Sequence, residues 1–177
     1  MPVQPTILLI GLRGSGKSTL GAHLATRLGV EFTDLDDLTL KNMGAHSVAQ
    51  AWQSEGEPAF RKAEANALRQ AIDQSIDGGV IALGGGTPTA PGAEAIIREA
   101  PATTIYLRGV PALLRSRLPA DDEPNRPSLT GASPTDEIER VFNARDPLYA
   151  SIADHTIDLT AHEQPDATLQ RCIGVFG

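Results

Sequence analysis

The sequence predicts an α/β fold in which a parallel β-sheet is covered by helices on both faces. Three observations predict it. Short apolar runs recur along the chain, longer stretches with helical spacing separate them, and a glycine-rich loop joins the first run to the first helical stretch. Strands that alternate with helices favour parallel pairing, because each helical connection then crosses back over a face of the sheet.

Five runs rich in apolar or β-branched residues are interpreted as the strands of this sheet. They lie at residues 6–10, 31–33, 80–83, 103–107 and 155–159, and the second run is the weakest. Seven stretches between and beyond them have the spacing of amphipathic helices. They lie at residues 17–28, 38–52, 58–76, 92–98, 111–118, 134–152 and 165–173.

The segment 119–133 breaks this alternation. It contains several prolines, a glycine and an acidic cluster, without apolar periodicity, which indicates a loop. Loops of this length inside a compact domain are often functional, and a lid over an active site is a common case. No linker divides the chain, so we expect residues 1–177 to form a single domain that acts as a monomer.

Charge and composition exclude several classes of partner. The formal net charge is −7, which disfavours binding to nucleic acid or to an anionic membrane surface. The N-terminal apolar run is too short for a signal peptide or a membrane span. A single cysteine, Cys172, permits no intrachain disulfide. We therefore expect a cytoplasmic protein that captures any anionic ligand by local contacts.

The strongest motif is GLRGSGKST at residues 11–19, which fits G-x-x-x-x-G-K-[ST] between the first predicted strand and the first predicted helix. Its glycines let backbone amides and the helix N-terminus face one anion, which predicts a site for a nucleoside triphosphate. Lys17 is expected at the β- and γ-phosphates and Ser18 at Mg²⁺. The residues expected to bind nucleotide here are Gly14, Ser15, Gly16, Lys17, Ser18 and Thr19. A chance glycine-rich turn is the alternative.

Three aspartates follow the second predicted strand, in the sequence TDLDD. Alternation along an extended strand end would place Asp34 and Asp36 on one side, facing the cleft above the sheet. Phosphoryl transfer to a hydroxyl needs one carboxylate for the leaving proton and another to hold Mg²⁺ through water. Helix capping is the alternative role, and we assign it to Asp37 at a helix that begins near Leu38.

Two further patterns lie on the acceptor side of the predicted cleft. In GEPAFRKAE, Arg61 and Glu64 are three residues apart on a helix, so the carboxylate could orient the guanidinium; a surface ion pair is the alternative. Three glycines, 84–86, follow the third strand, where the lack of Cβ atoms would let a small ligand lie against the backbone. A simple tight turn competes with that interpretation.

These motifs, with NRPSL and RDPLY downstream, stand in the order seen in shikimate kinases, and the chain resembles that family along essentially its whole length. The resemblance implies a doubly wound P-loop fold of the nucleoside monophosphate kinase type, with a five-stranded parallel sheet in the order 2-3-1-4-5. It also implies the reaction: transfer of the γ-phosphate of ATP to the 3-hydroxyl of shikimate, on the route to chorismate and the aromatic amino acids.

The resemblance further implies roles for individual residues. It implies that the catalytic residues are Lys17, Asp36 and Arg126, and that Mg²⁺ is bound by Ser18 directly and by Asp34 through water. The residues implied to bind shikimate are Asp36, Arg61, Gly85, Gly86 and Arg145. Arg117 and Pro165 are implied to contact adenine. Within the domain, 34–64 is the acceptor-binding segment and 119–133 the lid that carries Arg126. The lid departs from the family pattern in its acidic residues and in Ser128.

Two alternatives remain at this stage. A gluconate-type kinase of another small metabolite could use the same scaffold, although paired carboxylates and arginines disfavour it. A noncatalytic module that only binds shikimate is the second alternative. The retention of Lys17, Asp36 and Arg126 favours an enzyme over such a module.

Overall fold

The computed structural model describes residues 5–118, 134–161 and 163–176, and it contains a five-stranded parallel sheet. The strands are β1 (Thr6–Ile10), β2 (Glu31–Asp34), β3 (Gly79–Ala82), β4 (Thr103–Arg108) and β5 (His155–Asp158). Their order across the sheet is β2-β3-β1-β4-β5, which confirms the predicted order. The central strand β1 pairs with β3 on one side and β4 on the other.

Eight α-helices and one short 3-10 turn lie in the described part of the chain. The helices are α1 (Lys17–Leu28), α2 (Leu35–Met43), α3 (Val48–Glu55), α4 (Glu57–Gln74), α5 (Ala93–Glu99), α6 (Pro111–Ser116), α7 (Pro134–Ile152) and α8 (Pro165–Gly174). The 3-10 turn is Thr87–Thr89. All five predicted strands are present, and their ends shift by no more than a residue or two.

The single helix predicted at 38–52 is wrong, because two helices occupy that stretch. Gly44 ends α2 in the left-handed conformation, with φ of +65°, which a residue without Cβ adopts readily. Ser47 then caps α3 by accepting a hydrogen bond from the N–H of Gln50. Helix α2 also begins earlier than expected, at Leu35.

Strand β1 lies at the centre of the core, with the four residues Ile7, Leu8, Leu9 and Ile10 fully buried. Because side chains alternate along a strand, this strand supplies apolar groups to both faces of the sheet. Leu8 and Ile10 pack with residues of α4, α5 and α7, whereas Ile7 and Leu9 pack with α1 and α8. The sheet is thus covered on both sides, as the sequence predicts.

This topology places one edge of the sheet where a ligand can bind. Parallel strands direct their carboxyl ends to the same edge, and β1 lies where the strand order reverses, because the chain crosses from β3 on one side of β1 to β4 on the other. The segments that follow β1, β2 and β3 therefore converge at one place. Within the described residues, no helix has the length and apolar character needed to cross a bilayer.

Candidate active site

The loop that follows β1 is shaped by glycines with positive φ. Gly14 and Gly16 have φ of +81° and +82°, a region that other residues rarely adopt. A Cβ atom on Gly14 would also lie 2.8 Å from the carbonyl oxygen of Leu114 in α6. The loop is therefore packed against its neighbour so closely that only glycine fits at position 14.

Lys17 begins α1 and folds back over this loop. Its Nζ donates to the carbonyl of Leu12 at 3.1 Å and to Ser15 Oγ at 3.4 Å, and the residue is only 8% exposed. The ammonium is thereby held inside the ring of backbone that the glycines form. An anion bound in the loop would meet both the backbone amides and this charge.

Asp34, the last residue of β2, connects the loop at residues 11–16, called the phosphate loop below, to the start of α2. Its Oδ2 accepts from the Ser18 hydroxyl at 2.5 Å, and its Oδ1 accepts from the backbone N–H of Asp36 at 3.0 Å, which makes it the N-cap of α2. The capping role assigned to Asp37 is therefore wrong. Asp36 lies in the first turn of α2, not on the strand, so alternation along β2 does not place it in the cleft.

A cavity of about 460 Å³ joins these groups. Of the residues predicted to bind ligand or metal, it is lined by Gly14, Gly16, Lys17, Ser18, Thr19, Asp34, Asp36, Gly85 and Arg117. Arg13 and Leu83 also line it, and sequence reasoning missed both. Ser15 does not line the cavity; it is a buried residue of the loop, at 3% exposure, and accepts a hydrogen bond from Lys17.

Arg61, on α4, is enclosed by polar and aromatic neighbours. Its Nη1 donates to Glu64 Oε2 at 2.6 Å and its Nε to Glu57 Oε1 at 3.3 Å. The rings of Trp52 and Phe60 lie 5.6 and 5.9 Å from its guanidinium carbon. With 14% of its side chain exposed, Arg61 is not a member of a solvated surface pair.

Glu64 is the most deeply buried acidic group of this cluster, at 1% exposure. Burial raises the pKa of Glu64, because a low-polarity setting disfavours the charged form. The adjacent Arg61 guanidinium and the hydroxyl of Thr87 act against that rise in pKa, while the charge of Asp36 adds to it. The bond from Arg61 therefore favours the charged form of a buried carboxylate.

Gly84 is surrounded by oxygen atoms of three functional side chains. A Cβ at this position would clash with Asp36 Oδ1 and would lie 2.8 Å from Thr87 Oγ1 and 2.9 Å from Glu64 Oε1. Carbon and oxygen atoms do not pack at such distances without displacement. The first glycine of the triplet is thus required by the protein's own side chains.

The other two glycines are also constrained by atoms that lie close to their backbone. A Cβ on Gly85 would lie 3.2 Å from the backbone nitrogen of Arg13, in the phosphate loop. One on Gly86 would lie 2.7 Å from Arg61 Nη1. The glycine run therefore lets the backbone after β3 approach the phosphate loop and the Arg61 guanidinium. Contact of Gly85 and Gly86 with a ligand stays a prediction.

Arg145, on α7, reaches the same glycine run from the other side. Its Nη1 donates to the carbonyl of Gly85 at 3.0 Å, and the hydroxyl of Tyr149 donates to the same oxygen at 2.7 Å. Tyr149 is fully buried, and burial raises its pKa to about 12, so the hydroxyl remains a donor at neutral pH. Sequence reasoning missed Tyr149, although it ends the RDPLY motif one helical turn after Arg145.

Helix α7 is in turn fixed to the sheet by Asp146. Its two carboxylate oxygens accept from Arg108 Nε and Nη2, both at 2.7 Å, and one of them also accepts from the Tyr106 hydroxyl at 2.9 Å. These hydrogen bonds, chiefly those from Arg108, lower the pKa of Asp146. Arg108 and Tyr106 end β4, so the contact fixes the position of Arg145 along the sheet edge. Neither group was identified from sequence.

The two residues predicted to contact adenine, Arg117 and Pro165, do not both line the cavity. Arg117 lines the cavity just after α6, but Pro165 is exposed at the start of α8 and does not line it. Arg126 and the rest of the predicted lid, 119–133, lie outside the described residues. Their roles stay predictions.

Comparison with known proteins gives a consistent result. A protein-family model described as shikimate kinase matches residues 13–175. The shikimate kinase of Paracidovorax citrulli is 38% identical over 154 residues, covering 87% of this chain and 82% of that protein. Shikimate kinase 2 of Yersinia pestis is 40% identical over 156 residues, covering 88% of this chain and 87% of that protein.

The fold agrees with solved structures of the same family. The structure of shikimate kinase from Acinetobacter baumannii in complex with shikimate superposes with a TM-score of 0.87 at 31% identity, covering 98% of this chain and 93% of that one. That similarity covers all but a few residues of this chain.

The geometry around Gly84 yields a test. Gly84→Ala would push a methyl group into Asp36, Thr87 and Glu64, and displaced catalytic groups commonly reduce rates by about 10- to 100-fold. We expect a loss of turnover in that range, with a destabilisation of about 1 to 3 kcal/mol from overpacking. Steady-state kinetics and urea unfolding measure the two effects.

Gly174→Ala is the matched control, because a Cβ at Gly174 meets no atom within 4 Å. It should leave both turnover and stability close to those of the wild type. Normal turnover in Gly84→Ala would show that the three oxygens can move apart without loss of function.

Proposed function

The chain belongs to the shikimate kinase family, and from this premise we propose that it transfers the γ-phosphate of ATP to the 3-hydroxyl of shikimate, producing shikimate 3-phosphate and ADP. The observation that carries the proposal is the cavity in which the phosphate loop, two aspartates and the glycine run meet. A nucleoside triphosphate on one side and a hydroxyl acceptor on the other would there lie within transfer distance.

The phosphate side of the reaction depends on Lys17 and the loop amides. The ammonium is held by Leu12 and Ser15 at the centre of the loop, where it can neutralise the charge of the transferring phosphoryl group. Because Lys17 is nearly buried, its interaction with phosphate is screened little by water. The loop thus stabilises charge without a large rearrangement of its own.

The metal proposed for the site is Mg²⁺, which a kinase of this family takes with ATP. Ser18 Oγ and Asp34 Oδ2 lie 2.5 Å apart, and a hydroxyl with a carboxylate forms the hard-oxygen donor set that Mg²⁺ accepts. When bound, Mg²⁺ would supply positive charge next to the β- and γ-phosphates. We assign Ser18 as a direct ligand and Asp34 as a ligand through water.

Asp36 is the proposed base. Its carboxylate lines the cavity beside Gly85, and its Oδ1 approaches Gly84 on the acceptor side. A carboxylate in that place can accept a hydrogen bond from the acceptor hydroxyl and take its proton as the new O–P bond forms. Asp34 is assigned to the metal instead, because its Oδ2 already bonds to Ser18 Oγ, the proposed direct ligand.

Arg61 and Arg145 are the proposed partners of the shikimate carboxylate. They approach the glycine run from α4 and α7, since Arg61 lies against Gly86 and Arg145 bonds to the carbonyl of Gly85. Two guanidinium groups on either side of a short backbone segment form a site for a planar anion. Closure by Arg126 and adenine contacts from Arg117 and Pro165 complete the proposal.

The acceptor is tested by an ADP-release assay in which shikimate, quinate and gluconate are offered separately. We expect shikimate-dependent ADP release to exceed that with gluconate by a wide margin, because the roles proposed for Asp36 and the arginines require a ring that carries a carboxylate and a hydroxyl. Quinate, which has both groups, measures how strict the acceptor specificity is. Preference for gluconate would favour the alternative metabolite kinase. ATP binding without turnover of any acceptor would favour the noncatalytic module.

The two aspartates should separate in their metal dependence. Asp36→Asn removes the base, so turnover at saturating Mg²⁺ should fall by about 100-fold or more. Asp34→Asn keeps a capping side chain for α2 but loses the charge next to Ser18, so the Mg²⁺ concentration for half-maximal rate should rise. Titration of Mg²⁺ in both variants measures this. The opposite pattern would mean that the roles are exchanged.

Arg61→Lys should weaken shikimate binding although it keeps the charge. An ammonium cannot reproduce the planar contacts, and a charge-assisted bond is worth about 1.5 to 3 kcal/mol, so KM for shikimate should rise by about 10-fold or more while KM for ATP stays near normal. Arg98→Lys is the control, because Arg98 forms an exposed helical pair with Glu94 at 3.0 Å. Equal, small effects in both variants would remove Arg61 from the acceptor site.

A further inference from the structure

Thr87 is a fully buried polar residue to which the reaction described above assigns no task. It is the first residue of the 3-10 turn after the glycine run, and its exposed fraction is 0%. Its backbone is anchored at both ends, because its N–H donates to the carbonyl of Gly84 and its own carbonyl accepts from Ala90. A buried hydroxyl on a fixed backbone has few rotamers and can serve as a fixed donor.

The hydroxyl of Thr87 donates to Glu64 Oε1 at 2.9 Å. The other oxygen of the same carboxylate, Oε2, accepts from Arg61 Nη1 at 2.6 Å. Both oxygens of Glu64 are therefore hydrogen-bonded, one to the neutral hydroxyl of Thr87 and the other to the charged guanidinium of Arg61 on the same helix. Two contacts fix the plane of the carboxylate, where one would leave it free to rotate about its terminal bond.

The plane of Glu64 determines where the Arg61 guanidinium lies. Its Nη1 donates to Glu64, the adjacent rings of Trp52 and Phe60 lie near its guanidinium carbon, and the guanidinium lies beside Gly86. Rotation of the carboxylate would draw the guanidinium with it, away from the glycine run. The Thr87 hydroxyl thus affects the orientation of the Arg61 guanidinium through the Glu64 carboxylate.

The surroundings of Glu64 offer little to replace this donor. Asp36 Oδ1 lies on the same side of Gly84 as Glu64 Oε1 and Thr87 Oγ1, and as a second carboxylate it repels Glu64. A hydroxyl carries a single hydrogen, and here that hydrogen is directed to Glu64. Without it, a buried carboxylate oxygen beside a like charge would lose its bond, and the group would turn or take up a proton.

We propose that Thr87 is a positioning residue for acceptor binding, which holds the Glu64 carboxylate so that Arg61 directs its guanidinium toward the carboxylate of the substrate. The inference rests on the proposed function, because it takes shikimate as the acceptor and Arg61 as its partner. It adds a specific task for the residue that follows the glycine triplet: a side-chain hydroxyl is required there, and an apolar group of the same shape does not suffice.

The test compares Thr87→Val, which keeps the shape, with Thr87→Ser, which keeps the hydroxyl. For Thr87→Val we expect KM for shikimate to rise by about 5- to 10-fold, as for loss of one typical intramolecular hydrogen bond, with KM for ATP unchanged and kcat within about twofold of the wild type. Thr87→Ser should retain a KM for shikimate near that of the wild type. Thr6→Val is the matched control, since the Thr6 hydroxyl donates to the Ser75 carbonyl at the opposite end of β1.

A double-mutant cycle with Arg61→Lys separates positioning from a general loss of packing. If Thr87 acts through Arg61, Thr87→Val should add little to KM for shikimate in the Arg61→Lys background, whereas independent effects would multiply. If Thr87→Val does not fold, Thr87→Ala against Thr87→Ser makes the same comparison. An unchanged KM in the hydroxyl-free variant, an equal rise in KM for ATP, or multiplicative effects in the cycle would each overturn the inference.

The wild-type enzyme is assayed first, so that failure of the proposed function can be distinguished from failure of the inference about Thr87. A KM for shikimate that is equal in the wild type and in Thr87→Val leaves the proposed function intact and removes the role of Thr87. Absence of that release in the wild type removes the proposed function, and with it the premise of this inference.

Discussion

The close approach of the backbone after β3 to the phosphate loop after β1 is the constraint on which the site depends. The two strands are neighbours in a parallel sheet, with Leu9 opposite Ala82, and the N–H of Leu83 still donates to the carbonyl of Leu9. The segments beyond them must therefore run side by side. Cβ atoms on the glycine run would meet the loop backbone, Arg61 and a ring of side-chain oxygens, so only glycine allows this approach.

The buried pair of Arg61 and Glu64 is better understood as a positioning device than as a source of stability. An exposed pair three residues apart on a helix would contribute about 0.2 to 0.5 kcal/mol, and burial of both charges costs most or all of what their attraction returns. What the pair gains is a fixed guanidinium, which is bonded to Glu64 and lies near the adjacent rings of Trp52 and Phe60. That gain matters for binding, where an arginine that is already oriented loses less freedom.

The sequence predicts most of the fold, because the signals that carry it are local. The helix at 17–28 follows from a motif that joins strand to helix, and the apolar runs mark each strand. The break at Gly44 and the cap at Asp34 were missed, since one glycine and three adjacent aspartates fit several boundaries equally well. Tyr149 and Thr87 were missed for another reason: their partners, Gly85 and Glu64, lie 64 and 23 residues away along the chain.

If Arg61 and Arg145 bind the acceptor carboxylate as proposed, the charges around them give them different parts in the capture of an anion by an acidic protein. Arg61 contacts two carboxylates, Glu57 and Glu64, so its cluster carries no net positive charge and attracts an anion only through correctly directed N–H groups. Arg145 donates to a neutral carbonyl, that of Gly85, so its positive charge is not offset by that contact. In the proposed site, orientation would thus come mainly from α4 and attraction mainly from α7. A net charge of −7 then does not prevent binding, because salt and water screen the distant charges and the nearest groups decide.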